Sequence, residues 1–383
     1  MRNSILVTLA VVLDTAVTAD SQAKPPATPQ QTPLSQTGTP VQGQPPVPGA
    51  GQMPGPQRPP APPPYNCEPV NSNATPEARA LLKTLCSISG KGILTGQHNF
   101  PNERSQETDQ VSRIVGKYPA IWGSDFGFTD GEDKDSILHR DLMIEEAKKQ
   151  AAAGSIIYLC WHMMRPTEDE PGPAGEDGRS SPAWRGSVQA RLTDAQWQEL
   201  ITSDSPLHQR WEKYMDTAAG YLKQLQDAHI PVLWRPMHEN NGSFFWWGGR
   251  PGPSGTAQLY RELYYRMVNV HHLNNLIWVW NQNGPAPFGE FHQFYPGPDY
   301  VDVVSYDDYR TLDDKYYWEL LDLANGKPIA LGEVGTPPSA DVLKTQPKWV
   351  WFMVWAGFTR QADRLKAAYD NSYFLNRGDP LPN

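Results

Sequence analysis

From residue 92 onward, short runs of apolar and β-branched residues recur along the chain, each followed by a stretch of helical spacing or a polar loop. The runs are GILTG (92–96), AIWGSDF (120–126), SIIYLCWH (155–162), PVLWRPMHE (231–239), NLIWVWN (275–281), VDVVSYDDY (301–309), PIALGEVG (328–335) and VWFMVWA (350–356). Each reads as a buried strand, and segments such as RDLMIEEAKKQAAAG and HQRWEKYMDTAAGYLKQLQDAH between them read as helices. Eight strands alternating with helices predict an α/β fold, a (β/α)8 TIM barrel of parallel strands. Polar side chains gather where these runs end: His98 and Asn99, Asp125, His162, Glu239, Asp307 and Tyr309, Glu333, and Trp355. A barrel builds its active site at the C-terminal ends of its strands, so these groups are expected to converge on one mouth.

The segment before the first run has a different composition. Lys24 to Tyr65 is almost all Pro, Gln, Gly, Thr and Ala and holds 15 of the chain's 38 prolines, too little apolar area to offset the entropy of ordering it. It is expected to be a disordered, partly polyproline linker. Ahead of it, one Arg, an apolar run from Ile5 to Leu13 and small residues up to Ala19 have the form of a secretory signal peptide cleaved after Ala19 or Ala23, although Asp14 interrupts the pattern. The expected organisation is a signal peptide over 1–19, a linker over 20–65 and one catalytic barrel over 66–383. This leader argues for a secreted, extracellular or periplasmic product; no later segment is apolar for long enough to span a bilayer, and a monomer away from membranes is the default expectation.

A formal charge of −9 without any Lys/Arg cluster argues against nucleic acid as a partner. The 14 Trp and 16 Tyr suit ligands with flat apolar faces, of which sugar rings are the commonest neutral kind, though at least half of these rings must be core. Cys67 and Cys86 frame the start of the folded part and are placed to bridge, while Cys160 reads as a buried, inert thiol. HENN (238–241) lacks the second His of a zinc-binding HExxH, and His271 and His272 have no further ligands nearby. GxSxG and phosphate-binding Gly-rich loops are absent. Neither a catalytic metal nor a cofactor is expected.

Glu239 and Glu333 end apolar strands on opposite sides of the mouth. Two carboxyl groups about 5–5.5 Å apart are what retaining hydrolysis of a glycosidic bond requires, one as nucleophile and one as a proton donor whose pKa its neighbour raises. The pattern RPxHExxGxxxxWWG, with WH in the third run, DxY in the sixth and GEVG in the seventh, resembles glycoside hydrolase family 26 over essentially the whole chain after the linker. The resemblance implies a retaining, endo-acting enzyme, most often a β-1,4-mannanase, acting on a mannan-type polysaccharide. Glu239 would be its acid/base and Glu333 its nucleophile. His238 would hold the site's geometry, His162 would contact the sugar at the cleavage point, and Asp307 and Tyr309 would orient the nucleophile or the bound ring. The family commonly has Trp two positions after the motif's Gly, to stack on the leaving-group sugar. Phe244 stands there in this chain, a smaller ring without an indole N–H. Trp355 is expected to be a stacking platform and Trp247 a substrate contact. Trp246 is as readily a brace for the loop, and Trp184 and Arg185 in the long loop after the third run are further candidates for sugar contact.

Each assignment has a structural counterpart: Glu239 as a buried acid paired with Arg235, and His162 and His238 as satisfied core histidines. Two other functions remain open on these residues. One is β-1,3-xylan or mixed-linkage β-glucan hydrolysis on the same fold; the other is a polysaccharide-binding protein without catalysis.

Overall fold

The computed structural model describes residues 65–127, 135–168, 187–287, 289–359 and 362–382. The signal peptide, the linker up to residue 64, and Trp184 and Arg185 lie outside the described residues.

Eight parallel strands close into a barrel: β1 (Ile93–His98), β2 (Ile121–Asp125), β3 (Ile156–Trp161), β4 (Val232–Pro236), β5 (Leu276–Asn283), β6 (Val303–Asp307), β7 (Ile329–Val334) and β8 (Trp349–Val354). Each pairs with the next, and β1 pairs with both β8 and β2. A two-residue strand, β9 (Phe374–Leu375), which sequence periodicity does not announce, pairs with the N-terminal end of β1 where pairing to β2 has not yet begun.

Helices pack outside the barrel, the larger ones being α1 (Pro76–Ile88), α2 (Gln106–Val115), α3 (Arg140–Ala152), α4 (Asp194–Leu200), α5 (Pro206–Gln226), α6 (Thr256–Tyr265), α7 (Asp314–Ala324), α8 (Ala340–Thr345) and α9 (Ala362–Tyr369). Their starts follow capping chemistry: Thr75, Thr193, Ser205, Asp313 and Ser339 each accept a backbone N–H of the first turn, and Pro opens α1 and α5. No helix among the described residues is long and apolar enough to cross a membrane.

The two-residue alternation of each strand sorts its side chains. Trp161, Trp234, Trp278, Trp280 and Phe352 point outward into the layer between barrel and helices. Tyr158, Leu233, Ile277, Val303, Ala330 and Trp351 point inward at the lower end, where the apolar face of α1 joins the same cluster. Ten of the 14 Trp are fully buried, so most of the aromatic content is core. Further along β4 and β6 the inward positions become polar, with Arg235, Ser305 and Asp307, and this change along the barrel axis creates the mouth.

Cys67 and Cys86 form a disulfide with a Cα–Cα distance of 6.3 Å, tying the first described residues to α1. Closing a loop across a sequence separation of 19 constrains the unfolded chain, so Cys86→Ser should lower unfolding free energy by about 2–4 kcal/mol, read from denaturant titration. An unchanged midpoint would show that α1 docks without the tether.

Candidate active site

Strict alternation would point Glu333 away from the barrel interior, since Leu331 faces the outer layer. The register of β7 shifts here: Tyr306 pairs with Leu331, but Asp307 pairs with Glu333, leaving Gly332 as an extra residue. This bulge turns Glu333 into the mouth. Gly332 is needed for it, because a Cβ at 332 would lie 2.6 Å from Asp307 Oδ1 and 2.7 Å from Asn281 Nδ2.

Glu239 reaches the mouth by another route. β4 ends at Pro236, three residues earlier than the apolar run implies, so Glu239 belongs to the loop rather than closing the strand. Met237 and Glu239 both have φ of +51°, a left-handed conformation costly for non-glycine residues and held by surrounding bonds. The Glu239 N–H donates to Asn281 Oδ1 at 2.8 Å, the Gly242 N–H donates to the Glu239 carbonyl at 2.9 Å, and Trp247 Nε1–H donates to the His238 carbonyl at 2.9 Å.

Carboxylate oxygens of Glu239, Glu333 and Asp307 lie within 4.8 Å of one another. The only cation in contact with them among the described side chains is Arg235, fully buried, whose Nη1 donates to Asp307 at 2.6 Å and whose Nη2 donates to Glu333. Its guanidinium carbon also stands 5.5 Å from the Tyr158 ring centroid. Arg235 therefore serves Asp307 and Glu333, not Glu239 as a sequence pairing would suggest. Tyr309 Oη donates to the other Glu333 oxygen at 2.7 Å, and Asn281 Nδ2 donates to Asp307 at 2.7 Å. One guanidinium cannot balance three buried carboxylates, so a proton must remain among them. Burial, then the charges of Glu333 and Asp307, push the Glu239 carboxyl well above the usual range. Burial also lifts Asp307, to about 8, against the pull of Arg235. Glu239 has no cation in contact and is the natural holder of the proton. A cluster of three acids also has the spacing of a cation site, but here Arg235 supplies the positive charge.

Beside Glu333 runs a chain of polar groups. His162 Nδ1 donates to Asp125 Oδ2 at 2.6 Å, His162 Nε2 and His238 Nε2 are 3.0 Å apart, and His238 Nε2 stands 3.8 Å from Glu333 Oε1. Burial, with the charges of His162 and Arg235, drives the His238 pKa well below its ordinary value, so His238 is neutral and shares one Nε2–H with His162. Burial works against the Asp125 charge, yet the His162 imidazole outweighs it and holds Asp125 below the ordinary carboxylate range. Cys160 Sγ donates to the same Asp125 oxygen at 2.8 Å, and burial first, then Asp125, raises the thiol far above its usual pKa, consistent with an inert group. His98, Asp125 and Cys160 form a second ligand-like cluster behind the histidines.

The expected site residues thus fall into two sets. Glu239, Glu333, His162, His238, Asp307 and Tyr309 converge at the mouth. Phe244 is 37% exposed and packs against Phe245, free to offer a ring to a ligand. Trp355 lies one residue past β8, stacked on His98 at 3.8 Å with little surface left. Trp247 differs from expectation: it is fully buried, stacked on Phe245 at 4.5 Å and bonded to the His238 carbonyl, so it braces the loop rather than meeting a sugar. Trp246 is a brace too, its Nε1–H donating to the Met163 carbonyl at 2.8 Å. Sequence reasoning missed the roles of Arg235, Asn281 and Asp125. Arg235 was legible in principle, as a charge at an inward position two residues after Leu233.

The family model of glycosyl hydrolase family 26 matches residues 70–379. Among relatives, a mannan endo-1,4-beta-mannosidase of Thermothelomyces thermophilus is 35% identical over 317 residues, covering 80% of this chain and 61% of its own. This chain therefore spans less than two thirds of that relative. The solved structure of GH26A from Muricauda sp. MAR_2010_75 superposes with a TM-score of 0.73 at 40% identity, covering 80% of this chain and 98% of that one. A Podospora anserina GH26-CBM35 β-(1,4)-mannanase superposes at 0.66 with 30% identity, covering 83% and 69%.

Two outcomes follow from the charge arrangement. Glu333→Gln removes one neighbouring charge but leaves burial, so Glu239 should titrate lower than in the parent protein yet still above an ordinary Glu, measured by carboxyl-resolved NMR. An unmoved titration would mean the two acids do not sense each other. Arg235→Met leaves Asp307 and Glu333 buried without their cation and should cost about 3–5 kcal/mol in urea unfolding at neutral pH. Because those acids must then take up protons to fold, the loss should shrink as pH falls.

Proposed function

We propose, from the premise that this chain belongs to glycosyl hydrolase family 26, that it is a retaining endo-β-1,4-mannanase acting on mannan-type polysaccharides. The observation that carries the mechanism is the approach of the Glu239 and Glu333 oxygens to within 4.8 Å, with the proton-retaining acid opposite the one bound by Arg235 and Tyr309. That gap suits direct attack by a carboxylate and is narrower than the separation of about 6.5–9.5 Å at which an inverting pair seats an attacking water beside the sugar. The names of the relatives support mannan as the substrate.

In this reading the Glu333 carboxylate attacks the anomeric carbon while Glu239 gives its proton to the departing glycosidic oxygen, so the C–O bond breaks as the ester forms. Glu239, now ionised, takes a proton from water, which attacks the same carbon and releases Glu333. Arg235 and the Tyr309 hydroxyl hold the nucleophile by charge and hydrogen bonding. As Glu333 gives up its charge to the ester, repulsion on Glu239 falls and its pKa drops, suiting the change from acid to base. His162 and His238 form the wall beside Glu333, Asp307 orients it through Arg235, and Phe244 offers a stacking face on the leaving side. We read the N-terminal leader as a signal for export and the enzyme as a monomer.

Glu333→Gln should lower kcat on mannan by about three orders of magnitude or more, with circular dichroism unchanged. Glu239→Gln should do the same on polysaccharide but much less on an aryl mannoside whose leaving group needs no protonation. NMR of the first product should show retained anomeric configuration. Binding to mannan without release of reducing ends would support the noncatalytic reading. Faster turnover on β-1,3-xylan or lichenan than on mannan would reassign the substrate.

A further inference from the structure

A second cavity, of about 510 Å3, begins at Tyr309 and runs between the loops after β6 and β7 and helix α9, without including Glu239 or Glu333. Tyr309 belongs to both places: its hydroxyl is buried against Glu333, while its ring is 43% exposed and lines this cavity. Two arginines, Arg310 and Arg364, also line it. Among the described residues neither makes an ion pair, and the one side-chain bond of Arg364 is a long one to Thr336 Oγ1 at 3.5 Å. The single acid in the lining, Asp308, is already engaged, one oxygen accepting the backbone N–H of Arg310 at 2.7 Å and the other the Tyr306 hydroxyl at 3.3 Å. Ser339, Thr336 and Asn371 add hydroxyl and amide groups, and the remaining walls include apolar side chains.

In a chain of net charge −9, two arginines against one acid give this lining a basic excess, a local reversal of sign. Guanidinium groups bind carboxylates through paired N–H donors, while hydroxyl and amide side chains together with a ring suit the body of a sugar. The volume is ample for one hexose. We propose that this cavity binds a carboxylate-bearing sugar, a hexuronate carried as a branch on the polysaccharide chain, with Arg310 and Arg364 holding the carboxylate. That the hexuronate is a branch of the cleaved chain rests on the function proposed above; the preference of the cavity for hexuronate over neutral sugar does not.

The test is calorimetric or NMR titration of the full chain with glucuronate, glucose and inorganic phosphate, repeated on R310A, R364A and the double variant. Glucuronate should bind at least about tenfold more tightly than glucose, the double variant should lose about tenfold or more of that affinity, and each single variant should lose part of it. R310K/R364K, which keeps the charge without the planar fork, should recover a fraction. All these variants should hydrolyse unbranched mannooligosaccharides like the parent. Equal affinity for glucose and glucuronate, phosphate binding as tightly as glucuronate, or insensitivity to the double variant would each overturn the proposal. If unbranched mannooligosaccharides are not cleaved at all, the enzymatic reading fails, and the titrations still decide the cavity separately.

Discussion

The site depends on one buried cation. Arg235 points into the barrel from β4 and places its two terminal nitrogens on Asp307 from β6 and Glu333 from β7. Fully buried, it offsets part of the cost of holding carboxyl groups at the top of an otherwise apolar barrel. It is also insufficient for all three acids present, and Glu239, which it does not touch, is pushed well above the usual carboxylate range by burial and then by the charges of Glu333 and Asp307. Two chemically identical side chains thus stand in different surroundings, one held by the guanidinium and the other not.

Regular secondary structure alone would not bring these groups together. A bulge at Gly332 re-aims Glu333, and two left-handed residues in the loop after β4 carry Glu239 over the mouth. Both departures are stabilised from outside the reacting groups. Asn281 is central: its oxygen receives the Glu239 N–H, while its amide donates to Asp307 and to Ser305 Oγ. The buried indoles of Trp246 and Trp247 fix the loop by bonding backbone carbonyls. The aromatic run that begins at Phe244 thus divides its labour, one ring facing outward and the tryptophans anchoring the carboxyl-bearing loop.

A second layer stands behind the carboxyls. The Asp125–His162–His238 chain sets which nitrogen of each ring carries hydrogen, and the Trp355 ring covers His98 behind it. Burial keeps His238 neutral beside Glu333, so this ring can offer hydrogen bonding without placing a further positive charge against the carboxyls.

Much of this was legible in the chain itself. Near-continuous apolar runs separated by helical segments identify buried parallel strands, because such strands are covered on both faces, and the polar residues ending them mark the mouth. The carboxyl pair at 239 and 333 and the histidine at 162 follow from that pattern, while His238 and Phe244 are marked by the family resemblance. Partner choice was not legible. Arg235 lies four residues from Glu239 in sequence, yet its partners are 72 and 98 residues away, because contacts across a barrel depend on strand register and on where a bulge shifts it. Nor could the run FFWW at 244–247 reveal which rings are buried, since loop exposure is decided by what packs against it. Local pattern determined the strands and the inventory of chemical groups; tertiary structure alone decided which acid meets the cation, because charge compensation depends on distances that close only when the barrel does.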